Sequence, residues 1–299
     1  MRRAAALAAA LCLAAAPAFA NLADDAWEAF ARGNFAKAHQ LAEKPARAGD
    51  PRAALVMARL HAAGQAPGGT RDGAFAWYRI AAEKGNAEAQ LEFGLYLSAI
   101  GTPPNDPRLA ADYFEKAATQ GLADAAYNLG LVYSGGNGRR QSWEEAARWL
   151  KIAAARGQIE AIYNLGVLHQ EGLGVPRDRV EAARLIGRAA TAGLADAEFD
   201  YGIMAMTGEG VQKDPAVGVL WLRSAAAKGN IVAQNRLARA LSGGVGVEKD
   251  EVEAARWHLV ARAGGLSDAR LDLMLEGLSP EDRARAEAEA KAWRPKARR

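Results

Sequence analysis

The chain has 299 residues, half of them hydrophobic, with 38 Lys and Arg against 35 Asp and Glu and one cysteine. So even a charge balance, with no basic run except RPKARR from Arg294 onward, argues against the basic face of a nucleic-acid binder. A lone cysteine excludes a disulfide framework within the chain.

The first stretch, MRRAAALAAALCLAAAPAFA, has two arginines, an apolar run from Ala4 to Ala16, and Ala18-Phe19-Ala20 as a small-residue cleavage site. The run is short for a bilayer span. Residues 1–20 therefore read as a cleaved signal peptide, and the expected location is periplasmic or secreted. Cleavage would remove Cys12, Arg2 and Arg3, leaving a nearly neutral chain without a thiol. Leu11, directly before Cys12, is larger than lipoprotein acylation sites usually carry, which argues against lipidation.

Residues 21–48 read as an N-terminal capping helical hairpin that turns near Gly33. From there to residue 264 the chain is periodic. Gly49, Gly85, Gly121, Gly157, Gly193, Gly229 and Gly265 are evenly spaced by 36 residues, each closing a segment such as Ala-Ala-Glu-Lys-Gly. A basic residue followed by Gly is a helix C-terminus, because Gly enters the left-handed region at little cost. Two alanine columns keep the same period: Ala53, Ala89, Ala125, Ala161, Ala197, Ala233, and Ala81, Ala117, Ala153, Ala189, Ala225, Ala261. Small side chains repeated at one register mark close helix contacts.

Between the columns runs EGLGVPRD at Glu171–Asp178, a Gly-x-Gly loop with a following basic residue. Taken alone it could cradle a phosphate at a helix N-terminus. It recurs as TGEGVQKD and GGVGVEKD at the same offset, which makes it the turn between two helices of each unit. Asp178, Asp214 and Asp250 then read as N-caps. Ser142 with Glu145, Asp178 with Glu181, and Asp250 with Glu253 have capping-box spacing. Asp106-Pro107 and Asp214-Pro215 place Pro at the first helical position. The first two turns depart from the pattern, with HAAGQAPGGTRD and SAIGTPPND. Residues 265–299 read as C-terminal capping helices with a basic tail, the last helix starting at Ser279-Pro280. Six helix pairs cannot bury their apolar faces singly and must stack, so the expected fold is an all-α solenoid of antiparallel pairs.

Units such as GLADAAYNLGLVYSGGNG with SWEEAARWLKIAAARG resemble Sel-1-like repeats, relatives of the tetratricopeptide repeats. The resemblance spans roughly residues 49–270 and implies a right-handed superhelical solenoid with a concave face. It also implies an adaptor or regulator that binds proteins, including control of envelope sensor kinases. Some cysteine-rich relatives are described as β-lactamases or penicillin binders, which supplies the alternative of a cell-wall hydrolase. The missing cysteine pairs separate this chain from that branch.

The residues themselves offer little chemistry. There is no Gly-x-Ser-x-Gly, no Gly-Lys of a nucleotide loop, and the Ser224 to Lys228 spacing is one residue too long for Ser-x-x-Lys. His61 and His169 share a packing column with Tyr133, and His258 shares one with Tyr78 and Phe114. Trp77, Trp149, Trp221 and Trp257 form one column that reads as packing. The expectation is no catalytic residue, no metal and no cofactor.

The informative surface is the first helix of each unit, where tetratricopeptide analogy turns positions 4, 7, 8 and 11 toward the concave side. These positions hold Glu88 and Glu92, then Asp124, Tyr127 and Asn128, then Glu160, Tyr163 and Asn164, then Asp196, Phe199 and Asp200. Arg52 and Arg59 stand at one end, and Arg236 and Arg239 at the other. An acidic centre with aromatics and asparagines suits an extended peptide with basic residues, its backbone held by the asparagine amides.

Overall fold

The computed structural model describes residues 21–99 and 105–295. The leader-like segment 1–20, the middle of SAIGTPPND and the last residues of the basic tail lie outside them.

All regular structure among the described residues is helical. Helix α1, described over 21–31, and α2 (Phe35–Arg47) form a hairpin turning at Gly33, where φ is 75°. Six pairs follow. The first helices are α3 (Pro51–Ala62), α5 (Ala87–Ser98), α7 (Ala123–Gly135), α9 (Ile159–Glu171), α11 (Ala195–Thr207) and α13 (Ile231–Gly243). The second helices are α4 (Arg71–Glu83), α6 (Pro107–Thr119), α8 (Trp143–Ala155), α10 (Arg179–Thr191), α12 (Pro215–Ala227) and α14 (Glu251–Ala263). The chain ends with α15 (Ala269–Gly277) and α16 (Pro280–Ala292), which packs on α14 with Trp293 against Trp257. The helices form two compact units, divided inside α8 between Trp149 and Leu150.

Both alanine columns are fully buried, every member at 0% exposure. A larger side chain at such a contact overpacks it by about 1–3 kcal/mol. The closing glycines from Gly49 to Gly265 all have φ between 86° and 101°, as left-handed helix ends require.

The Gly-x-Gly turn divides its work between its two glycines. The first, at Gly136, Gly172, Gly208 and Gly244, is the left-handed C-cap of the first helix. The second presses on the preceding repeat. A Cβ at Gly210 would stand 2.0 Å from the Arg179 carbonyl oxygen, and one at Gly246 2.3 Å from that of Pro215.

The caps form as expected, but the capping boxes close only halfway. The amides of Glu145, Glu181 and Glu253 donate to Ser142, Asp178 and Asp250. The reciprocal bond is absent because the cap amides already donate to Tyr133, His169 and Leu241 carbonyls of the preceding helix. The glutamates turn to arginines instead: Glu145 to Arg148, Glu181 to Arg184, and Glu253 to Arg223 and Arg256.

Candidate interaction site on the first helices

Glu88, Asp124, Glu160 and Asp196 each occupy the second position of their helix, and all four are exposed. An acid there is favoured by the helix dipole whatever the ligand, by about 0.3–1 kcal/mol. Glu160 also accepts from Gln158 at 2.8 Å, and Asp196 from Asn230 at 2.9 Å.

One turn further along, charges and hydroxyls are used between neighbouring repeats. Glu92 receives the Arg59 guanidinium on both oxygens, with Nε at 2.9 and 3.0 Å, and accepts the Tyr78 hydroxyl at 3.2 Å. Tyr163 donates to Asp200 at 2.8 Å. The Asn128 amide donates one N–H to its own helix, at the Asp124 carbonyl. Tyr127, Asn164 and Phe199 are half-buried.

At the basic ends, three of the four arginines are paired. Arg52 pairs with Asp24 of α1, and Arg59 lies over the Trp27 ring of α1 at 4.4 Å while it holds Glu92. At the other end Arg239 donates to Asp268 at 2.5 Å. Asp24 and Trp27 lie on the capping helix α1, outside the columns from which the acidic and basic pattern is read, whereas Asp268, at the N-cap of α15, stands in the column of Asp124 and Asp196. Arg236 stays exposed.

Within the second unit, α11 and α13 enclose a hollow of about 470 Å³ that collects four of the residues singled out from sequence: Phe199, Asp200, Arg236 and Arg239. Ile203, Met206 and Val245 complete an apolar lining. Met206 has a legible signal, for the same column carries Ala62, Ser98, Ser134, Gln170 and Ser242 in other repeats. Glu88, Glu92, Asp124, Tyr127 and Asn128 belong to the first unit and are no part of this hollow. Burial pushes the Asp200 carboxyl above its ordinary range, despite the opposing Tyr163 hydrogen bond.

Ser224, Lys228, His258 and His169 are tied into the framework. Ser224 and Lys228 both donate to buried Glu198, at 2.9 and 2.7 Å. His258 is fully buried against Asp272 at 2.7 Å, and His169 meets the Pro176 carbonyl. Among the described residues no cluster of His, Cys, Asp or Glu has the make-up of a metal site, and no helix is long and apolar enough to cross a membrane.

The family model of the Sel1 repeat matches residues 51–86, 87–122, 123–158, 159–194, 195–230 and 231–266. No curated protein matches. The solved structures that are similar over most of the chain include the following two. A protective antigen present in uropathogenic Escherichia coli strains, displaying an SLR fold, is 29% identical with a TM-score of 0.75. That match covers 84% of this chain and 56% of the antigen, so this chain spans just over half of the antigen's length. A Sel1 repeat protein from Oxalobacter formigenes is 31% identical with a TM-score of 0.71, covering 81% of this chain and 70% of the other. Sel1 repeat proteins mediate protein–protein interaction. Six consecutive matches, on helix pairs stacked through two buried alanine columns, show that the chain belongs to the Sel1 repeat family.

Proposed function

We propose that the protein is a non-catalytic adaptor of the cell envelope that holds a peptide segment of a protein partner on its first helices. The observation that carries this reading is the hollow between α11 and α13, where an apolar lining lies beside one carboxylate and the exposed Arg236. A bulky apolar side chain of the partner fills the hollow. Glu160 and Asp196, exposed in the first turns of α9 and α11, favour basic residues on the flank of the same segment. The envelope location rests on the leader-like segment 1–20. The specific form that the family resemblance supplies is control of a membrane sensor through its extracytoplasmic part.

The test is retention of a partner from envelope extract by residues 21–299, beside Phe199→Ala/Arg236→Gln and Glu160→Gln/Asp196→Asn. Amides are used at the last two positions because lysine would oppose the helix dipole and weaken the fold. A protein retained by the wild type and lost by folded variants supports the reading. Equal retention by all three sinks it, and covalent trapping of a labelled β-lactam on a serine overturns its non-catalytic part.

A further inference from the structure

The tryptophan column of the second helices is uneven. Trp149 and Trp257 are 5% and 4% exposed, and each is covered by the arginine before it, Arg148 at 4.3 Å and Arg256 at 4.6 Å from the ring centre. Trp221 is preceded by Leu220, itself 67% exposed, and is only half-buried. The repeat before it departs as well. Leu185 stands in the aromatic column, and Gly187 stands where other repeats carry Arg79, Glu115, Lys151, Arg223 and Leu259.

These departures open a cleft of about 630 Å³ whose walls include Ile159, Ile162, Val217, Tyr201 and Trp221, with Arg188 beside them. Gly187 is matched to its neighbour, since a Cβ there would stand 2.8 Å from the Tyr201 ring. Tyr201 in turn meets Trp221 edge to face, with ring centres 5.7 Å apart. Arg184 and Thr191 at the same cleft are engaged, by Glu181 and by the Gly187 carbonyl. Among the described residues the Arg188 guanidinium, the Tyr201 hydroxyl and the Trp221 indole N–H donate to no acceptor.

One unpaired cation and two neutral donors against apolar walls call for an acceptor-rich anion attached to a bulky apolar body, and they disfavour a cationic ligand. Val217 and Leu220, neighbours on α12 with 37% and 67% exposure, extend the apolar surface beyond what one small acid covers. We propose that this cleft is a second recognition site, for a peptide segment of a protein partner in which an acidic residue adjoins a bulky apolar one. It is separate from the hollow between α11 and α13, and it takes the opposite charge to the flank residues proposed there.

The probe is the blocked peptide Ac-Ala-Phe-Glu-Leu-Ala-NH2, with its Glu→Lys counterpart and phenylacetate as comparisons. The indole N–H resonance of Trp221, assigned by its loss in Trp221→Phe, is followed in residues 21–299 during titration. A saturable shift with the Glu peptide is expected, at least fivefold weaker for the Lys peptide and for Arg188→Gln. Arg188 is exposed, so that variant retains its fold, and circular dichroism checks it. No saturable shift, equal response to both peptides, or an unchanged Kd in Arg188→Gln overturns the proposal. Phenylacetate binding as tightly as the Glu peptide also overturns it, by making the occupant a small acid.

Discussion

The Tyr163 hydroxyl donates to Asp200 at 2.8 Å, joining the first helices of two successive repeats at the edge of the hollow. Burial raises the Asp200 carboxyl above its unfolded value, the Tyr163 bond opposes that rise, and Asp196 adds to it. An acid raised in this way gives stability at low pH that is lost as pH rises through the folded pKa. Asp200→Asn keeps an acceptor for the hydroxyl and removes the charge. The variant is expected to match or exceed wild-type stability at pH 7, with its advantage shrinking as pH falls toward 4. Tyr163→Phe leaves the carboxylate without its donor and is expected to cost about 1.5–3 kcal/mol at pH 7. Urea denaturation at the two pH values checks both, and a loss above about 1 kcal/mol in Asp200→Asn at pH 7 refutes the sign.

Gly210 and Gly265 separate two reasons for glycine. Both have positive φ, 72° and 96°, but a Cβ at Gly265 meets nothing within 4 Å while one at Gly210 strikes the Arg179 carbonyl. Gly265→Ala is expected to cost about 1–2 kcal/mol, the left-handed penalty alone. Gly210→Ala adds a backbone collision and is expected to cost about 2–5 kcal/mol. Equal losses of thermal stability would mean that the turn does not press on the preceding repeat.

Trp27 and Glu92 act on one guanidinium, that of Arg59, from opposite sides in sequence. Trp27→Ala and Glu92→Gln are each expected to destabilise by about 1–3 kcal/mol. The double variant should lose less than the sum, because the second change removes an interaction already weakened. A double-mutant cycle in urea measures the coupling, and strict additivity would show that the stacking and the ion pair are independent.

The framework was legible because its causes are local and repeated. Gly85, Ala89 and Asp178 declare a helix end, a close contact and a cap from their neighbours and the period alone. The surface was less legible, because its polar side chains pair with residues about one period apart. Arg59 meets Glu92 and Tyr163 meets Asp200, and a face read along one helix shows only half of each pair. At the basic ends, Asp24 lies on the capping helix α1, where the period gives no guide to register, while Asp268 continues the column of Asp196 and meets Arg239 across repeats. Met206, the one large apolar residue in a column of Ala, Ser and Gln, is the signal that points to the hollow.

Asp268 decides how much positive charge that hollow presents. The carboxylate, 6% exposed, accepts from Arg239 at 2.5 Å, from Asn235 at 3.0 Å, and from the amides of Arg270 and Leu271 at the start of α15. Burial alone would raise its pKa. The hydrogen bonds from Arg239, Asn235 and Leu271 outweigh burial and bring it to about 2. A lowered acid gives stability above its unfolded pKa that is lost as pH falls through the folded one. Asp268→Asn is therefore expected to cost about 1.5–3 kcal/mol at pH 7, with the deficit narrowing as pH drops from 4 toward 2. The same change leaves Arg239 without its counter-charge beside exposed Arg236, so a partner segment with basic flanks should be retained less well than by the wild type. Undiminished retention by a folded Asp268→Asn protein would place the basic part of the partner away from α13.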